Sequence, residues 1–172
     1  MSAVPCGWGE KGGPSAGVAV AARRHIGMAK VPDMVSSGEL EHRFCVRWTG
    51  STMKGGLFIA SVYLYSSELL SSRNVRLLEE VARVLLALPG PWVLGGDFQM
   101  EPKLLIQSGF VRLAKGVLAA PSKPTCQGHV IDYFVVSESL RHSVVAVSTL
   151  EDSPFAPTLP FDSYLRQRRG SS

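Results

Sequence analysis

The amino-acid sequence predicts an α/β chain with strands at its centre and helices outside. Three observations carry that expectation: short apolar runs bounded by turn residues, one long stretch with helical periodicity, and 17 Gly with 11 Pro, more than a helical bundle holds. The length of 172 residues suits one domain. With 45% hydrophobic residues it can build a core without disulfides or structural metals, which excludes a disordered or fibrous chain.

The elements follow in chain order. Residues 17–22 (GVAVAA) form a short run that stops at Arg23, Arg24 and His25, as a buried strand reaching the surface does. In residues 43–49, Phe44, Val46 and Trp48 alternate with Arg43, Cys45 and Arg47, the period of a strand. A turn over 50–55 leads into 56–65 (GLFIASVYLY), apolar enough for a central strand paired with the previous one. From Ser71 the period changes. Val75, Leu78, Val81, Ala82, Leu85 and Leu88 recur at steps of three and four, with Arg76, Glu79, Glu80 and Arg83 opposite, which predicts a helix capped by Ser71 or Ser72. Pro89-Gly90-Pro91 ends it, and residues 92–94 open a buried strand running into Gly95-Gly96-Asp97-Phe98-Gln99. Residues 103–108 read as a short helix stopped by Gly109, the stretch to Gln127 as irregular, 130–136 (VIDYFVV) as a strand and 144–147 as the last one.

The formal charge of +4, with a pI near 9.1, suits a polyanionic partner without requiring one. Cys6, Cys45 and Cys126 form neither a CxxC pair nor a zinc-finger spacing, so reduced thiols are expected. No apolar run reaches membrane-spanning length and no signal-peptide pattern opens the chain, so the expected location is intracellular and soluble.

Three positions can carry chemistry. A strand ending in two glycines lets the backbone turn and a phosphate approach, and Asp97 and Gln99, two residues apart, project to one side of an extended chain. The carboxylate can bind a divalent cation or take a proton from water, and the amide can donate to a phosphate oxygen. Asp132 points away from Ile131 and Tyr133, toward solvent or a polar site. Tyr63 ends a strand with a phenol that can bond a phosphate. Taken singly, each has a plain alternative: a turn-forming Asp, a solvent-facing Asp, a packing Tyr.

In this order, Tyr63, the helix start around Asn74, Gly96-Asp97-Phe98-Gln99 and Ile131-Asp132-Tyr133-Phe134 resemble the endonuclease/exonuclease/phosphatase superfamily, the group of exonuclease III, apurinic endonucleases and retrotransposon endonucleases. There the corresponding motifs read Gly-Asp-Phe-Asn or Gly-Asp-Leu-Asn, and Arg-Ile-Asp-Tyr. The resemblance runs from about Ser15 to about Pro157. It implies a four-layered α/β sandwich, two mainly antiparallel sheets face to face with helices outside, and Mg²⁺- or Mn²⁺-dependent hydrolysis of a phosphoester, ancestrally on nucleic acid. Asp97 would orient or deprotonate the attacking water and, with Gln99, hold the metal. Gln99 would contact the phosphate, Tyr63 would bind it, and Asp132 would orient a histidine near the C-terminus.

The match departs from the pattern in three places. Ser153-Pro154-Phe155-Ala156-Pro157 has Phe155 where the family has that histidine, and a hydrocarbon ring transfers no proton. Gln99 is one methylene longer than asparagine. The region that supplies an asparagine and the metal-binding glutamate in the family has no counterpart, and neither Glu10 nor Glu39 lies in a strand that replaces it. The expectation is therefore an incomplete, N-terminally truncated domain over 15–160 between a disordered 1–14 and a basic 161–172, impaired in catalysis and leaving an apolar sheet face uncovered. The alternatives are a non-catalytic nucleic-acid or protein-binding module and a fragment of a longer nuclease. His25, His42, His129 and His142 are expected to be solvated, and Arg23, Arg24, Arg43 and Arg47 line either a phosphate groove or an ordinary surface.

Overall fold

The computed structural model describes residues 2–4, 7–8, 14–15, 17–31, 40 and 42–149. Glu10, Glu39, Phe155 with its neighbours, and the basic tail lie outside the described residues. In chain order the strands are β1 (Ser2–Val4), β2 (Gly7–Trp8), β3 (Pro14–Ser15), β4 (Val18–Val20), β5 (Ala29–Lys30), β6 (Phe44–Thr49) and β7 (Leu57–Tyr63). Helix α1 (Ser72–Ala87) follows, then β8 (Trp92–Asp97), α2 (Pro102–Gln107), α3 (Phe110–Leu113), β9 (Gly116–Ala119) and β10 (Asp132–Ser137), with a 3-10 helix over Glu138–Ser143.

Six strands make one mixed sheet in the order β5-β6-β7-β8-β10-β9. The β6–β7 hairpin is antiparallel, β7 and β8 run parallel across α1, and β10 is antiparallel to both β8 and β9. A helical crossover is what a parallel pair requires, and the periodic run beginning at Ser71 supplies it. Ser71 Oγ accepts from Asn74 N at 3.2 Å, capping α1. The first face of the sheet presents Phe58, Ala60, Val62, Trp92, Leu94, Tyr133 and Val135 to Leu77, Leu78, Val81 and Leu85 of α1, in one continuous core. On the second face β4 lays Val18 and Val20 over Cys45, with Met28, Ile59 and Tyr63 packed against them. The fold is thus of the α/β class expected, with helices on one face of a large sheet and the β1–β4 ribbon on the other. Toward β10 the second face opens, and Phe134 is 42% exposed. No helix among the described residues is long and apolar enough to cross a membrane.

Asn74 holds the connection between β7 and α1. Fully buried, it accepts from Tyr65 N at 2.9 Å and donates to Tyr65 O at 3.1 Å and Leu69 O at 2.8 Å. One amide thus pairs with three backbone groups of the connection.

Ser2–Val4 pairs with Val18–Val20. Two local expectations are corrected. The stretch after Gly109 is not wholly irregular: Gly109 adopts φ 80°, which ends one short helix and starts α3, and β9 follows. Its four residues are too few to display a period. Residues 144–147 form no strand. Both edges of β10 are already occupied, by β8 and β9, and Val145 projects into solvent.

The two glycines of β8 do a different job from the turn expected of them. They lie inside the strand, and a Cβ on Gly96 would sit 2.1 Å from the carbonyl oxygen of Val62, whereas one on Gly95 would meet only the edge of the Phe134 ring at 2.8 Å. A backbone oxygen in a central sheet cannot yield, but a partly exposed ring can. Gly96→Ala is therefore expected to destabilise the fold by about 3 kcal/mol or more and Gly95→Ala by clearly less, as compared by urea denaturation.

Candidate active site

Adjacent strands set one rung of side chains at the C-terminal end of β8. Tyr63 pairs with Asp97 across the parallel β7–β8 ladder, and Asp97 pairs with Asp132 across the antiparallel β8–β10 ladder. Residues directly opposite on neighbouring strands share a face, with Cβ atoms about 5 Å apart. Three residues separated by 34 and 35 positions in sequence are thus brought side by side on the second face of the sheet, away from α1. The ladder continues past the rung: Leu64 N donates to Asp97 O at 3.1 Å and Phe98 N to Ile131 O at 2.8 Å. Beneath it, Phe98 and Tyr133 stack with centroids 4.4 Å apart, and the Tyr133 hydroxyl donates to Met100 O at 3.2 Å. Burial and the charges of Glu101 and Asp97 raise the Tyr133 phenol far above its ordinary range, so it stays a neutral brace.

Gln99 is not placed as an extended chain would place it. The strand ends at Asp97, and Gln99 takes a left-handed conformation with φ 52° that turns it back. Its backbone N–H donates to Asp97 Oδ1 at 3.0 Å and its side-chain Nε2 donates to Oδ2 at 2.5 Å. Both carboxylate oxygens therefore carry a bond from the same residue. Burial is the largest influence on Asp97 and raises its pKa; the Asp132 charge raises it further, and the two Gln99 hydrogen bonds pull against that rise. The Tyr63 hydroxyl lies 3.2 Å from Ser66 Oγ, at the exposed edge of the rung.

Two carboxylates on one rung repel each other, and a divalent cation between them relieves that repulsion. Mg²⁺ is commonly held by one or two carboxylates with substrate phosphates and water completing its shell, so Asp97 and Asp132 fit such an ion. Among the described residues no cluster of three or more His, Cys, Asp and Glu exists that would make a fuller cage.

The arginines divide. Arg43 is buried, donates to Tyr63 O at 3.3 Å and Leu64 O at 3.4 Å, and lies 3.6 Å from the centroid of the Tyr65 ring. It supports the strand end that carries Tyr63. Arg47 donates to Val46 O at 2.7 Å, and Arg23 and Arg24 are exposed. His129, expected to be solvated, is exposed, but its Nδ1 lies 3.0 Å from Glu101 Oε1. The available signal was Gln127-Gly128, the Xaa-Gly step of a two-residue hairpin, whose residues take φ 45° and 86° and turn His129 back onto Cys126.

No family model matches the chain, and no curated protein does. Solved structures do. The cytolethal distending toxin of Actinobacillus actinomycetemcomitans is 17% identical with a TM-score of 0.41, over 54% of this chain and 38% of its own. The human Nocturnin catalytic domain with bound sulfate is 18% identical with a TM-score of 0.42, over 56% and 42%. A β-hairpin deletion mutant of beta toxin from Staphylococcus aureus is 12% identical with a TM-score of 0.47, over 69% and 53%. The chain spans between about two-fifths and about half of their length.

The raised Asp97 pKa has a consequence for stability. Between the ordinary carboxylate value and the raised one, the folded state keeps a proton that the unfolded chain releases, so stability falls as pH rises through that window. Ionised Asp97 therefore opposes folding at neutral pH. Asp97→Asn is expected to raise the thermal midpoint at neutral pH, with the gain vanishing below the ordinary carboxylate range, as followed by thermal melts across pH.

Proposed function

We propose that the Tyr63–Asp97–Asp132 rung is a phosphoester site of the Mg²⁺-dependent phosphodiesterase type, acting on nucleic acid with turnover held down by its own residues. The observation that carries this reading is the register itself: the three positions singled out by the motifs fall on one rung and one face. The formal charge of +4 is compatible with a polyanionic substrate.

The residues would divide the work as follows. Asp97, made more basic by burial and by Asp132, orients the attacking water and takes its proton. Tyr63, with Ser66 beside its hydroxyl, donates to a non-bridging phosphate oxygen. Asp132 keeps the local field negative and favours a cation. A bound Mg²⁺, held by Asp97 with Asp132 and the Gln99 amide oxygen, would supply stabilisation of the charge that develops on the phosphate.

Two features restrain turnover. Gln99 engages both oxygens of Asp97, so water and metal compete with a bond already made. Phe155 stands where the motif pattern has a proton-transferring histidine.

The test is nicking of supercoiled plasmid and cleavage of an abasic-site oligonucleotide with Mg²⁺. Slow, metal-dependent cleavage is expected, lowered by about 10²- to 10⁴-fold in Asp97→Ala. Gln99→Asn, whose shorter amide withdraws from Oδ2, is expected to cleave faster than the parent chain. Cleavage that survives Asp97→Ala overturns the assignment. Salt-sensitive DNA binding without cleavage by the parent or by Gln99→Asn identifies a binding module instead.

A further inference from the structure

Past the rung, residues 97–101 and 129–132 lie alongside each other in opposite directions. Asp97 opposes Asp132, Phe98 N donates to Ile131 O, and Glu101 Oε1 accepts from Val130 N at 3.3 Å while meeting His129 Nδ1 at 3.0 Å. Thr125 ties the two ends together. Its hydroxyl oxygen accepts from Ile131 N at 3.0 Å and from Asp132 N at 3.1 Å, and lies 3.4 Å from His129 O. Thr125 N and Cys126 N also donate to His129 O, at 2.8 and 3.0 Å, and His129 N donates to Cys126 O at 2.8 Å. His129 is consequently fixed at its backbone and at Nδ1. Its side chain is 69% exposed. Three residues of chain place it at most about 10 Å from Asp132, at the same end of the sheet.

An isolated surface ion pair contributes little stability, so it does not by itself account for a histidine held at so many points. A carboxylate on Nδ1 selects the tautomer or cation that presents Nε2 outward, and a hydrogen bond from that nitrogen is what a phosphate oxygen accepts. We infer that His129, positioned by Glu101, is a second phosphate-contacting residue at the mouth of the Asp97–Asp132 rung, taking a nucleic-acid phosphate next to the one at Tyr63. This rests on the phosphoester reading above. It assigns to His129 the contact and Glu101 the positioning, and leaves the attacking water to Asp97. The titratable groups around the imidazole are Glu101 from the start of α2, Cys126 across the hairpin, and Asp97 and Asp132 at the end of the sheet.

The experiment uses the full chain and a 5′-phosphorylated single-stranded DNA oligonucleotide, with imidazole and backbone-amide resonances followed by NMR. On binding, the His129 imidazole signals are expected to move, with the imidazole signals of His25 and His142 unchanged in position. Binding by His129→Gln is expected to weaken about tenfold. Glu101→Gln keeps an oxygen acceptor for Nδ1–H and Val130 N, and is expected to retain the fold and the binding, whereas Glu101→Ala is expected to weaken binding as His129→Gln does. If the amides of Phe98 and Asp132 respond while the His129 imidazole does not, the rung binds phosphate and the His129 assignment is overturned. If none of these signals responds, both the phosphoester reading and the His129 assignment are overturned.

Discussion

The close approach of Gly96 to the Val62 carbonyl is the constraint on which the candidate site depends. Where a Cβ would lie 2.1 Å from a backbone oxygen, only glycine allows β8 to settle against β7. That contact belongs to the same ladder that sets Tyr63 opposite Asp97. Because side chains alternate strictly along a strand, a slip of one residue would send Asp97 into the apolar core beside Val62 and remove it from the rung. The core on the other face enforces the same register, since Leu94 must reach α1 while Asp97 faces away.

The energetic character of the site follows from this placement. Partial burial and a neighbouring carboxylate make ionised Asp97 costly, and the structure offsets that cost by folding Gln99 back through a left-handed backbone onto both of its oxygens. A carboxylate held in this way is oriented, and both of its oxygens are already engaged. Arg43, Asn74 and the Phe98–Tyr133 stack hold the surrounding strand ends, which limits how far the rung can relax.

Much of the scaffold is legible in the sequence. The helix from Ser71 announced itself by period and cap, and the hairpin of β6 and β7 by alternation and a glycine-containing turn, because local sequence pattern and burial agree there. Asp97, Asp132 and Tyr63 were legible as strand-end polar residues. What pattern did not reveal was short or cooperative. Helix α3 and β9 are four residues each, residues 144–147 look strand-like but find no free edge beside β10, and Asn74 reads locally as a helix-start residue although it binds three backbone groups of a loop. His129 appeared solvated because Glu101, its partner, is 28 residues away.

The glycine pair Gly95-Gly96 is visible in the sequence, and with it the place where a strand delivers an acidic residue to the end of a sheet. The α/β class and the identities of the candidate residues were likewise properties of the sequence, since periodicity and residue chemistry are written locally. Tertiary structure alone decided that Tyr63, Asp97 and Asp132 share one rung, that Gln99 turns back onto Asp97, and that Glu101 reaches His129. Each of these depends on ladder register or on a left-handed turn, and both are settled by packing between segments far apart in the chain.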